Sequence, residues 1–389
     1  MGNDVALSRD GTTAIVGAVG DVTTNEDNGQ AFIFEWNGSG WTQARSVSPD
    51  EQDTPGLLGN AVALSADGLT ALVGVPAGAR GGTAPIGTVY VLSAEGGEWT
   101  REARLTSAEE RPGERFGLSA ALSADGTTAL VGANQFSQEN PNEYLDGSAH
   151  VLERVDGTWE HRTRLTAEDS EDAHGFGLRA ALSADGTTAL LGASKESNEN
   201  GEEAGAAYVF SGEGSDWGQQ DKLVPEGGEE YNEFGSTVSL SGDGTTAMVG
   251  DQLDNTATGD SSGSVSVFAA DGGAWTQQAT VVPDTIEGNE RFGDAVALTD
   301  DGTRALVGSG GGGSLGDIDV GSVHLLEADG DAWTQREQYT QFPNRTVNDS
   351  FGARVDISAD GTVGLVGATR DGEQGLTSGA AWVLDLPDD

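Results

Sequence analysis

The chain has 389 residues, with 64 acidic and 19 basic side chains, 60 glycines, four histidines and no cysteine, giving a formal net charge of −45. A surface this negative repels phosphate and argues against nucleic-acid binding, and no apolar run reaches the ~18 residues that a membrane helix needs. The missing thiols exclude disulfides, thiolate metal sites and a cysteine nucleophile, while 36% hydrophobic residues and eight tryptophans provide for a core and argue against disorder.

From the N-terminus, Gly2 is followed by Val5 and Leu7 alternating with small or polar residues, a period of two that predicts a strand. Ser8-Arg9-Asp10-Gly11 is a tight-turn signal, and Thr13-Ala14-Ile15-Val16-Gly17 returns as a second strand. A varied loop over 18–28 precedes a third strand that contains Phe32, and a short turn leads to a fourth that starts at Trp41.

The same unit then recurs. Its first glycine falls at Gly2, Gly59, Gly117, Gly177, Gly235, Gly293 and Gly352, at spacings of 57, 58, 60, 58, 58 and 59. The turn aspartate keeps step (Asp10, Asp67, Asp125, Asp185, Asp243, Asp301, Asp360), as does a tryptophan (Trp41, Trp99, Trp159, Trp217, Trp275, Trp333) except in the last unit. Four antiparallel strands repeated seven times predict an all-β, seven-bladed β-propeller spanning 1–389. Its repeats run approximately over 1–57, 58–115, 116–175, 176–233, 234–291, 292–350 and 351–389, and the last blade lacks its outer strand. Because Met1 already occupies the Phe slot before Gly2, the reading favours a missing upstream segment with the absent strand; a three-stranded last blade is the alternative.

Phe-Gly opening a unit (Phe116-Gly117) and Val-Gly-x-x closing the second strand (Val73-Gly74-Val75-Pro76) resemble the FG-GAP repeat of integrin-α-type propellers, in a form similar to its microbial variant. The resemblance covers essentially the whole chain and implies a propeller whose loop-bearing rim binds ligand. Integrin-type repeats often carry an Asp-rich calcium loop between the first two strands. Here that turn is Ser-Ala-Asp-Gly or a near variant, with no room for the five or more oxygen ligands calcium takes, so calcium is not expected there.

Register allows every candidate residue to be compared with its counterparts. His150 and His324 fall in the column Phe32, Tyr90, His150, Tyr208, Ser266, His324, Trp382, a packing position; His161 falls in a polar column of the outer strand and is expected to be solvated. Gly308-Ser309-Gly310-Gly311-Gly312-Gly313 matches a dinucleotide fingerprint but has no helix after it to receive a pyrophosphate. In the innermost strand, the second residue after each opening glycine reads Asp4, Ala61, Ser119, Arg179, Thr237, Ala295, Arg354. Two arginines there suggest a site for an anion or an acidic ligand at the mouth of the axial funnel. Ala6, Ala63, Ala121, Ala181, Ser239 and Ala297 form a small-residue column that Asp356 breaks.

The loops over 18–28, 75–86, 133–146, 193–204, 251–262, 309–320 and 368–378 all emerge on one rim. They carry Asp21, Asp27, Glu199, Asp254 and Asp319 among other acids, a candidate ligand-binding surface or simply a solvated one. Only Lys195 and Lys222 are lysines, and this arginine-biased, acidic composition suits molar salt, where the Debye length is ~3 Å. The sequence therefore reads as a non-catalytic, monomeric binding or adhesion-type propeller of a halophile, extracellular or at the cell surface, with a protein or glycan partner on its rim. The alternatives are a hydrolase or lyase with its site in the funnel, and an architectural module of a larger surface protein. Asn37, Asn344 and Asn348 are N-glycosylation acceptors in form and lean toward the surface reading.

Overall fold

The computed structural model describes residues 1–20, 28–50, 53, 56–76, 86–134, 147–168, 175–283, 285–286, 289–311, 321–330, 332–340, 350–369 and 379–388. Within these residues there are twenty-seven strands and no α-helix. The first four, β1 (Val5–Leu7), β2 (Thr13–Ala18), β3 (Gln30–Trp36) and β4 (Trp41–Val47), pair antiparallel in chain order. Five more sheets repeat that order, and a seventh stops at three strands, β25 (Phe351–Ile357), β26 (Val363–Ala368) and β27 (Ala380–Asp385). The molecule is a seven-bladed propeller whose last blade has three strands among the described residues.

The core is divided among the blade boundaries because each blade buries both of its faces against its neighbours. Ile15 and Ile33 of blade 1 meet Val73 and Tyr90 of blade 2, for example, and Leu130 and Val151 of blade 3 meet Leu191 and Tyr208 of blade 4. The repeated tryptophans also pack between blades. Trp99 is buried, and its indole N–H donates to Glu35 of the preceding blade at 2.9 Å.

Close approach fixes a glycine at the end of the second strand of every blade. Gly17 lies against Gly59, Gly74 against Gly117, Gly132 against Gly177, Gly192 against Gly235, Gly250 against Gly293, Gly308 against Gly352, and Gly367 against Gly2. A methyl group on any of the first-named glycines would strike the facing carbonyl oxygen. The seventh contact has the same form as the other six and joins the last blade to the first.

On the face that carries the β1–β2 hairpin and its equivalents, the turns are linked to one another around the axis. Backbone N–H groups donate from Arg9 to Ala66, Ala66 to Ala124, Ala124 to Ala184, Ala184 to Gly242 and Gly242 to Asp300, at 2.8–3.0 Å. Ala359 N–H donates to Arg9 across the junction of the two chain ends at 3.0 Å. Within each turn the aspartate organises the backbone: Asp185 Oδ1 accepts from Ser183 Oγ at 2.6 Å, Thr187 N at 3.0 Å and Thr187 Oγ1 at 2.8 Å. Burial pushes the turn carboxyls up, yet these donors outweigh it and hold Asp10, Asp125, Asp185, Asp243 and Asp301 below the usual range.

Candidate functional site

The innermost strands β1, β9 (Ser119–Leu122), β13 (Phe176–Leu182), β21 (Phe292–Leu298), β25 and their equivalents surround an axial cavity of about 470 Å³. An innermost strand pairs on one edge only, so alternate backbone N–H and C=O groups of its other edge point toward the axis. Some of these donors are capped by side chains of the preceding blade. Asp4 Oδ2 accepts from Val62 N at 2.7 Å, Ser239 Oγ from Leu298 N at 3.0 Å, and Asp356 Oδ2 from Leu7 N at 2.7 Å.

Every innermost strand runs from the loop-bearing face toward the hairpin face, so its first residues form the mouth of the cavity on the loop side. Asn3 and Asn60 bridge successive blades there, with Asn60 Nδ2 donating to Leu118 O at 2.9 Å. Of the column read from the sequence, Asp4, Arg179 and Arg354 all line the cavity. Arg354 Nε lies 4.0 Å from Asp4 Oδ1. Arg179, on blade 4, donates from Nη1 to Leu178 O at 2.9 Å, and no described carboxylate lies within ion-pair reach of its guanidinium.

Column comparison at that one position missed a fourth charged residue. Asp294, one residue nearer the mouth, also lines the cavity. Its carboxylate lies over Gly310, where a Cβ would collide with Oδ2, and this gives Gly310 of the false dinucleotide motif a structural cause. Gly308 of the same motif is a blade-boundary glycine.

Enclosure dominates the electrostatics of the mouth. Burial raises the carboxyls of Asp4 and Asp294 despite the opposing charges of Arg354 and Arg179. Burial, helped by repulsion from Arg354, lowers Arg179 to about 10. Deeper in, burial pushes Asp356 up to about 7, with Asp4 adding repulsion and the N–H groups of Leu7 and Ile357 opposing it. Asp356 thus ties blade 7 to blade 1, and both of its oxygens are engaged by backbone donors.

The other candidates lie elsewhere. His150 is buried in the third strand of blade 3, with Nε2 3.1 Å from Glu114 Oε1 and Nδ1 2.9 Å from His161 Nε2. His161 is therefore half-buried and paired, a correction to its expected solvation. In blade 2 the same arrangement is made by Tyr90, whose hydroxyl donates to Asp53 at 2.6 Å, so in blades 2 and 3 the column latches the blade to the crossing that enters it. Among the loop acids, Glu199 is exposed and Asp254 accepts from Asn232 at 3.3 Å. Glu196 and Asp251 are buried, the former paired with Lys222 at 2.8 Å. Asp21, Asp27 and Asp319, and the sequons at Asn344 and Asn348, lie outside the described residues.

Three stretches, 99–152, 159–210 and 217–268, match the FG-GAP repeat. No curated protein matches the sequence. Among solved structures, a chain of the hydrazine synthase of Kuenenia stuttgartiensis superimposes with a TM-score of 0.60 at 13% identity, over 99% of this chain and 96% of that one. At that identity the likeness concerns the fold alone.

Proposed function

Starting from a seven-bladed β-propeller that contains FG-GAP repeats, we propose that this protein is a non-catalytic binding module, secreted or held at a cell surface, that takes a protein or glycan partner on its loop-bearing face. The observation that carries this reading is the difference between the two ends of one ring. The hairpin end repeats the same residues and bonds around the axis, whereas the loops of differing sequence and the charged mouth of Asp4, Arg179, Asp294 and Arg354 share the other end. A rigid scaffold that gathers its sequence variation on one face suits recognition.

The chemistry of the cavity favours binding over turnover. A hydrolase of the two-carboxylate kind needs one free acid and one free base flanking the bond. Of the three carboxyls that line the cavity, Asp356 has both oxygens engaged by Leu7 and Ile357, and Asp4 is held by Val62 N and faces Arg354, which leaves Asp294 as the single free one. The buried histidines sit in outer strands away from the axis. The net charge of −45 further supports a salt-rich setting, in which self-repulsion is screened.

A glycan array probed with the labelled protein in molar salt tests the reading, with Glu199→Lys and Asp254→Lys as loop-face variants and Leu69→Lys, at an exposed position of the hairpin face, as the control. Binding that the loop-face changes weaken and the control spares is the expected result. Binding lost only in the control, or hydrolysis of a bound glycan, would overturn it.

A further inference from the structure

We propose that the mouth of the axial cavity binds a small zwitterion, a free molecule carrying one carboxylate and one ammonium group, with Arg179 taking the carboxylate and Asp294 the ammonium. The inference goes beyond the partner reading of the loop face and stands whether or not that reading holds.

Two observations carry it. The first is that a cation and an anion line the same cavity and neither has a hydrogen-bonded partner of opposite charge among the described residues. Most described basic side chains of this chain are held by carboxylates, for example Arg101 by Asp50 at 2.9 Å, Arg162 by Glu153 at 2.7 Å and Lys222 by Glu196 at 2.8 Å. Arg179 bonds only to the carbonyl of the residue before it. The carboxylate of Asp294 has no hydrogen-bond donor among the described residues, although Arg354 and Arg179 lie near enough to counter the effect of its burial. Asp4 cannot serve Arg179 in its place: one of its oxygens caps Val62 N and the other faces Arg354. Arg179 and Asp294 are half-buried and open to the cavity, and a ligand that supplies both partners gains charge-assisted hydrogen bonds that the described residues do not make.

The second observation decides among ligand classes. A plain anion must enter a protein of net charge −45, against the field of the whole molecule. A plain cation meets two guanidiniums at the mouth. A zwitterion has no net charge to be repelled, yet presents each local charge at hydrogen-bonding range, where the planar guanidinium matches a carboxylate with two parallel bonds. The cavity of about 470 Å³ lies within the usual range for small-molecule sites and leaves room for water around a compact ligand.

Isothermal titration calorimetry at pH 7 with the neutral α-amino acids, one by one, tests the proposal, with propionate and ethylammonium as the two halves of alanine. At least one amino acid is expected to bind with a Kd at or below about 10 mM, and each half-ligand at least about tenfold more weakly. Arg179→Ala and Asp294→Asn should each weaken binding by about tenfold or more, with Arg179→Lys intermediate because it keeps the charge and loses the fork. Circular dichroism checks that each variant is folded, and Arg179→Lys together with Asp294→Asn keeps the test open if the alanine variant is not. Absence of binding by every amino acid, propionate binding as tightly as alanine, or unchanged affinity in the Arg179 and Asp294 variants would each overturn the proposal. Loss of a glycan partner with amino-acid binding intact would leave it standing.

Discussion

The two ends of the axial cavity are built from the same seven strands and differ in nearly everything else. At the hairpin end each blade contributes the same turn and the same aspartate in nearly the same hydrogen bonds, and the turns are linked in series from blade 1 to blade 6 and across the junction of the chain ends from Ala359 to Arg9. At the loop end the corresponding positions hold Asp4, Ala61, Ser119, Arg179, Thr237, Ala295 and Arg354, and no symmetry survives. Repetition supplies closure, which is a property of the whole ring; departure from repetition supplies a local site. At the junction of the chain ends the inner strands meet as they do at the other boundaries, through Gly367 and Gly2, through Asp356 and Leu7, and through the linked turns.

The largest expected effect breaks the ring itself. Gly192→Val places a branched side chain against the Gly235 carbonyl at a blade boundary and should cost about 3 kcal/mol or more, read as a fall in the denaturation midpoint. A change below about 1 kcal/mol would show that the boundary is not close-packed.

Next come the turns. Asp185→Ala removes an acceptor shared by Ser183 and Thr187 and should cost about 1–2 kcal/mol, with Asp243→Ala close to it because the turns are equivalent. The pH dependence separates the two ends more sharply. The folded-state carboxyls of the turns are depressed, so their stabilisation is fully present above about pH 4 and is lost as pH falls through their folded values. Asp356 is raised to about 7, so the folded state binds the extra proton and stability declines as pH rises from about 4 through 7. Denaturation at constant salt should therefore show a steep acid limb, followed between about pH 4 and 7 by a slope in which the raised Asp356, Asp4, Asp251 and Asp294 are opposed by the lowered His161 and His324. Asp356→Ser should remove the share of Asp356 and shift that slope toward greater stability at neutral pH, because Ser239 already caps the equivalent N–H with a hydroxyl. A slope unchanged in that variant would assign it to the other groups.

The smallest effect belongs to the exposed rim: Glu199→Ser should alter stability by no more than about 0.5 kcal/mol. A larger loss would give that loop a part in the fold.

The hairpin end was the more legible in the sequence. Period-two strands, the Asp-Gly turn and the blade-boundary glycines announce themselves at fixed offsets, since each is set by local conformation or by a contact that recurs seven times. The mouth was partly legible for the same reason in reverse: Arg179 and Arg354 stand out against small and polar counterparts, and Asp356 against alanines. Asp294 had the same signal one column away, where Asn3, Asn60, Leu118, Leu178, Ser236 and Ala353 are its counterparts. What no column could show is pairing across blades. The bond from Leu7 to Asp356 spans nearly the whole chain, and the burial of Glu196 beside Lys222, or of His161 against His150, depends on which neighbour a side chain meets in space.

Differential scanning calorimetry of Arg179→Ala and Asp185→Ala, each with and without a saturating neutral amino acid that stabilises the parent protein, tests most directly whether the two ends divide their tasks. The account predicts that Arg179→Ala melts as the parent does and loses the ligand-induced rise, whereas Asp185→Ala melts lower and keeps it. An Arg179→Ala protein that melts far below the parent while keeping the rise would contradict it.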